Sequence, residues 1–233
     1  MNKGKDILVV SVMFIAAVFL WNTFLLYPIK VFVVALHELS HGVAAILVGG
    51  KIDHIKIDYR IGGYCAYFIP ANAGFFSKSF VAAAGYLGSM IWGASIFILA
   101  SRSKKDRNIT FFIACVMSVL SFFVIRSGEW FGILFCFAFA GLLFASYKWL
   151  PSGFHDIFLK FLGLTGCLYV IIDIKEDLID RSGIGSDADA IAEMLGVPAL
   201  SVPIGIVWII LALVVLFFTV KLSYSETREP SKI

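Results

Sequence analysis

Charge is scarce in this chain: only 15% of its 233 residues are Asp, Glu, Lys or Arg, against 60% hydrophobic residues. With a mean hydropathy of +0.93, that scarcity excludes an ordinary soluble domain. Cysteine is also sparse. Cys65, Cys115, Cys136 and Cys167 stand far apart and form no Cys-x-x-Cys pair, so neither a disulfide framework nor a thiolate metal site has support. They read as small apolar side chains. The net charge of +3 is small and dispersed, and nothing in it points to nucleic acid.

Phenylalanine and long apolar runs are abundant instead. After a short polar lead carrying Lys3 and Lys5, Ile7 to Tyr27 is apolar. It has the look of a signal peptide but is too long and lacks a small-residue cleavage site, so it reads as an uncleaved first span. Ile29 to Val48, Phe80 to Ala100, Ile109 to Ile125, Phe131 to Tyr147, Ile157 to Ile172 and Val202 to Val220 follow. Each is long enough, or nearly so, to cross a hydrocarbon core. The expectation is an all-α polytopic membrane protein of about seven transmembrane helices, one integral domain over residues 1–233.

Polar residues matter most where they are costly. Within the second span, His37-Glu38-Leu39-Ser40-His41 is a His-Glu-x-x-His motif. Residues four apart share a helix face, so two imidazoles can meet one metal ion. Glu38 stands beside them, where it can take a proton from water. Zinc suits neutral imidazole, and a catalytic zinc keeps three protein ligands with one open position. Three such residues at bilayer depth default to function rather than to packing.

Between the second and third spans the pattern changes. Ile52, Ile55 and Ile57 alternate imperfectly with Asp53, Lys56 and Asp58, and Gly62-Gly63 precede Tyr64-Cys65-Ala66-Tyr67-Phe68. Lys51 to Ile69 reads as a β-hairpin, turning at Gly62-Gly63. The third span is rich in small residues, Gly85, Gly88, Ser89, Gly93, Ala94 and Ser95, which let helices approach closely in a membrane. This face is expected against the His-Glu-x-x-His helix.

The third ligand is chosen among acids by depth. The sixth helix carries an acidic end within residues 157–180, with Asp173, Asp177 and Asp180. Asp173 is the deepest, about level with the two histidines, and is the first choice; Asp177, one turn nearer water, is the second. Ser186-Asp187-Ala188-Asp189 reads as the start of a short helix with Ser186 or Asp187 as its N-cap. Capping is the ordinary role of such residues, although this segment can fold back over the site. The hairpin acids Asp53 to Asp58 remain a further source.

A His-Glu-x-x-His motif inside an apolar helix resembles the site-2 protease family of intramembrane zinc metalloproteases. Gly85-Tyr86-Leu87-Gly88-Ser89 and Ser186-Asp187-Ala188-Asp189-Ala190 look like its compact M50B-like branch. The larger family takes a third zinc ligand from a Leu-Asp-Gly motif that this chain lacks. The resemblance implies a zinc endopeptidase with Glu38 as the catalytic base, His37, His41 and an Asp as ligands, and a membrane-protein substrate. It also implies that the hairpin edge around Gly62, Gly63 and Tyr64 takes up an unwound substrate strand. A multi-pass location in the cell membrane follows, with zinc near the cytosolic face and the amino terminus inside. That placement runs against the positive-inside tendency, because Arg102 to Arg107 would lie outside.

Two other classes compete. Intramembrane His and acidic residues also line the paths of metal-ion transporters, but no second copy of the His-Glu segment suggests an internal repeat. A non-catalytic membrane binding protein with a zincin-like helix is the third class, and ligation alone does not require Glu38.

Overall fold

The computed structural model describes residues 3–177 and 185–224; Asp180, weighed above among the acids, lies outside them. Helix α1 (Lys3–Phe19) leads to α2 (Tyr27–Leu47), and strands β1 (Lys51–Ile57) and β2 (Gly63–Phe68) follow. Helices α3 (Phe75–Arg102), α4 (Asp106–Ile125), α5 (Trp130–Trp149) and α6 (Ser152–Lys175) come next. A short α7 (Asp187–Met194), a single 3₁₀ turn (Pro198–Leu200) and α8 (Ser201–Tyr224) complete the order.

Six of these helices are long and apolar enough to cross a membrane. The protein is a multi-pass integral membrane protein. The expected first span, Ile7 to Tyr27, ends early: α1 stops at Phe19, because the chain turns at residues 20–26 before α2 begins. Pro28 lies in the first turn of α2, where a missing N–H is not felt. At the other end Gly49 takes φ +86°, and the Gly50 N–H reaches the Ala45 carbonyl at 2.8 Å, stopping the helix and aiming the chain into β1.

The hairpin is an antiparallel pair whose register shifts between Ile52 and His54, leaving Asp53 as the bulged residue. Its turn differs from the expected Gly62-Gly63 corner. Asp58 accepts from the Arg60 N–H at 2.7 Å and the Gly62 N–H at 3.2 Å, so residues 58–62 form the loop and Gly63 already pairs with Ile57. An acidic side chain closing a turn on following amides explains the shift. Ile55 and Ile57 are fully buried in the main core, which includes Met117, Leu120 and Val124 of α4. The Tyr27 hydroxyl donates to the Tyr59 carbonyl at 2.7 Å, so the hairpin loop folds back to the start of α2.

Small residues bring α3 against two neighbours, not only the expected one. A Cβ at Gly88 would lie 2.2 Å from Ser40 Oγ on α2, whereas one at Gly93 would lie 2.9 Å from the Cys167 backbone N on α6. Lipid tails are as apolar as the side chains, so this close fit, rather than water exclusion, favours the contact. A smaller apolar cluster of Tyr86, Met90, Val170, Ile174, Ala188, Trp208 and Ala212 joins α3, α6, α7 and α8. All four cysteines are free.

Candidate metal centre

The two histidines of α2 stand one turn apart, as their spacing requires, with Nε2 atoms 3.2 Å from each other. His41 is oriented from behind: its Nδ1–H donates to the Val81 carbonyl of α3 at 2.7 Å, which leaves the Nε2 lone pair for the site. Gly85, one turn further along α3, admits this arrangement. A Cβ there would lie 2.2 Å from His37 Nε2 and 2.4 Å from His41 Nε2.

The carboxylate that meets these imidazoles is that of Asp187. Its Oδ1 lies 3.2 Å from His41 Nε2 and its Oδ2 lies 3.5 Å from His37 Nε2. Among the described residues, His37, His41 and Asp187 form the group able to hold a metal ion, with one ligand atom from each lying within 4.8 Å of the others. Asp173, expected here from its depth, and Asp177 line the same cavity but stand outside the group. Asp177 instead accepts the Tyr86 hydroxyl at 2.5 Å, and Asp173 is hydrogen-bonded to Tyr169. Depth along α6 does not rank Asp187, because the chain returns to the cavity beyond that helix, the Ser186–Asp189 segment folding back over it.

Local chemistry shows why Asp187 is at liberty to point inward. Ser186 is the N-cap of α7, and a reciprocal capping box joins it to Asp189: the Asp189 N–H donates to Ser186 Oγ at 3.2 Å and the Ser186 N–H to Asp189 Oδ2 at 2.9 Å. Asp189 also accepts the Ser201 hydroxyl at 2.5 Å, tying α7 to α8. Burial raises the Asp189 carboxyl, but the hydrogen bonds from Ser201, Ser186 and the Gly185 backbone outweigh it and hold the group below the usual range. With capping done by its neighbours, Asp187 at the first helical position is spare.

Three observations fit this group to a divalent cation. Asp187 Oδ2 is buried with no hydrogen-bond partner among the described residues, an arrangement that is costly unless a cation completes it. Two imidazole Nε2 atoms and a carboxylate converge, a donor set that suits zinc. The surrounding cavity of about 370 Å³ is lined by the carboxylates of Glu38, Asp173, Asp177 and Asp187, and by no lysine or arginine among the described residues.

Glu38 is buried beside the histidines and faces β2: a Cβ at Gly63 would lie 3.1 Å from Glu38 Cγ. Gly62, Gly63, Tyr64, Cys65 and Tyr67 form the hairpin wall of the same cavity. Away from the cavity, Asp53 accepts from His54 Nδ1 at 2.7 Å, and that bond holds its carboxyl below the usual range. Asp58 closes the hairpin loop, and among the described residues neither acid belongs to the metal group. Tyr86 and Tyr169, absent from the candidate residues read from sequence, line the cavity as well. Nothing in their spacing marks them, although Tyr86 sits inside the Gly-Tyr-Leu-Gly segment that carries the resemblance.

Helices that cross a bilayer around a polar cavity, with two imidazoles and a carboxylate facing one point, define a membrane protein with a candidate metal centre. The chain matches the Peptidase M50B-like family over residues 10–219, and it belongs to that family, consistent with the site-2 protease kind of membrane metallopeptidase. No curated protein and no solved structure matches it.

Proposed function

We propose that this protein is an intramembrane zinc metalloprotease that hydrolyses peptide bonds in or near the transmembrane segments of membrane-protein substrates. The observation that carries the reading is the convergence, beside Glu38, of His37 Nε2, His41 Nε2 and the Asp187 carboxylate, whose Oδ2 has no hydrogen-bond partner among the described residues. His37, His41 and Asp187 would hold the ion, Asp187 taking the place that depth alone assigned to Asp173. Bound zinc supplies Lewis acidity, acidifying a water and polarising a carbonyl.

The chain's own groups do the rest. Glu38 accepts the proton of the attacking water and returns it to the leaving amine as the peptide C–N bond breaks. Its burial against the β2 backbone holds the carboxylate in one place, so little reorganisation is needed at reaction. His41, fixed through Val81, keeps its ring in one tautomer.

The hairpin supports a route for substrate. It is a two-stranded sheet, so β2 has an edge not paired by β1, and residues 62–65 and 67 line the cavity. A transmembrane helix hides its carbonyls in hydrogen bonds. An unwound segment could recover those bonds by pairing with β2, which gives backbone affinity with little sequence preference.

The test pairs two readings on one variant. Glu38→Gln is expected to keep zinc, measured by elemental analysis of purified protein, while cleavage of a membrane substrate falls by ~10²-fold or more. Cleavage at the wild-type rate would remove Glu38 as the base. Absence of zinc from the wild-type protein and from its zinc-reconstituted form would remove the metal centre itself.

A further inference from the structure

His37 and His41 are held in different ways. The His41 ring is fixed by the Val81 carbonyl on its Nδ1. No side chain or carbonyl among the described residues hydrogen-bonds Nδ1 of His37; the ring instead meets the Tyr86 ring edge-on, with centroids 5.1 Å apart and planes at 80°. Ligating histidines ordinarily take their orientation from a hydrogen bond to the second ring nitrogen. At His37 that task falls to an aromatic contact.

Tyr86 is placed to do it. The residue is 2% exposed and is held from two further sides. Its hydroxyl donates to Asp177, just beyond the end of α6, and its ring packs on Trp208 of α8 with centroids 5.2 Å apart. It also belongs to the apolar cluster that buries Ala188, the residue next to Asp187. One side chain thus touches the ring of one candidate ligand and helps seat the helix that supplies another.

We infer that Tyr86 is a positioning residue of the metal centre, setting the His37 ring and the Asp187 helix through its packing, with Asp177 as its anchor and not as a ligand. This rests on the reading of His37, His41 and Asp187 as the metal group. The inference separates the two parts of the tyrosine. The ring does the larger share, because it makes the contacts to His37 and to the cluster of Ala188 and Trp208. The hydroxyl does the smaller share, because it fixes the ring through Asp177.

The full-length protein in detergent, titrated with zinc against a chelator, tests it. Y86L, which removes the ring, is expected to weaken zinc binding ~10–100-fold, the usual loss when a group supporting a ligand is removed. Y86F keeps the ring and should recover most of that affinity, with a residual loss of ~3–10-fold for the missing hydrogen bond. Both should lower kcat, and Y86F should leave KM within about twofold because the cavity wall is unchanged. D177N should bind zinc within about twofold of wild type, since an amide oxygen still accepts from the tyrosine hydroxyl. The cobalt-substituted Y86F protein should show shifted visible bands, reporting changed ligand geometry. H41A is the control. If H41A binds zinc normally, the metal group itself is misassigned. If H41A loses zinc while folded Y86L and Y86F both stay within twofold of wild type, the positioning role is overturned. If Y86L does not fold, Y86F decides alone: unchanged affinity and unchanged cobalt bands reject the role. Loss of zinc from D177N as severe as from H41A makes Asp177 a ligand and also rejects it.

Discussion

Gly85 passes so close to His37 that a Cβ in its place would stand 2.2 Å from Nε2. The space a metal ion needs between the imidazoles and Asp187 exists because α3 carries hydrogen at this position. Gly85→Ala should therefore lose metal and activity together while the helices remain assembled, since the clash falls on the site and not on the helix backbone. Elemental analysis beside a thermal unfolding scan would check this. Full zinc occupancy in a folded Gly85→Ala protein would mean that the ligands gather elsewhere.

The third ligand is open to a paired comparison. Asp187→Asn is expected to weaken zinc binding by at least ~10-fold, because a neutral amide is a poorer ligand for zinc than a carboxylate. Asp173→Asn should retain the metal, because Asp173 lies outside the converging group. The reverse result would restore the depth-based assignment on α6 and leave Asp187 as a bystander.

Gly63 bears on Glu38, the proposed base. A Cβ there would approach the Lys56 carbonyl to 2.7 Å and Glu38 Cγ to 3.1 Å. Gly63→Ala should push either the strand or Glu38 out of place, reducing kcat by ~10-fold or more through misplacement of the proton acceptor. Zinc content should not change, because the atoms nearest that Cβ belong to Lys56 and Glu38 and not to His37, His41 or Asp187. A variant with wild-type kcat would show that the hairpin does not hold Glu38.

The capping box of α7 predicts a pH dependence. The Asp189 carboxyl is held below its usual range, so its hydrogen bonds stabilise the fold fully above the ordinary carboxylate value of ~4 and are lost as pH falls through the lower folded value. Ser186→Ala removes one bond of the box and should cost ~1 kcal/mol at neutral pH. In thermal scans in detergent, the advantage of wild type over Asp189→Ala should be constant from pH 7 to about 5 and shrink toward pH 3. An advantage that persists unchanged at pH 3 would exclude the carboxylate as its source.

Much of this protein is legible in its sequence for physical reasons that act locally. Long apolar runs mark the membrane helices because nothing else satisfies backbone groups in lipid. His37 and His41 announce a shared face because the helical repeat is built into their spacing. Alternation after Gly50 marks the hairpin, and Ser186 marks the start of α7. Each of these depends on neighbours within a few residues.

What the sequence alone determined, then, is the set of membrane helices, the pair of imidazoles with Glu38 beside them, and the presence of a hairpin. Tertiary structure decided which acid meets the histidines, which residues turn the hairpin, and what holds His37. Asp187 lies 146 positions beyond His41 in numbering, yet its Oδ1 stands 3.2 Å from His41 Nε2. That meeting depends on how α7 packs through Ala188 against Tyr86 and Trp208. Periodicity and capping preferences report the conformation of a segment, whereas the approach of two segments distant in the chain depends on how their surfaces fit, and that fit exists only once the helices are packed.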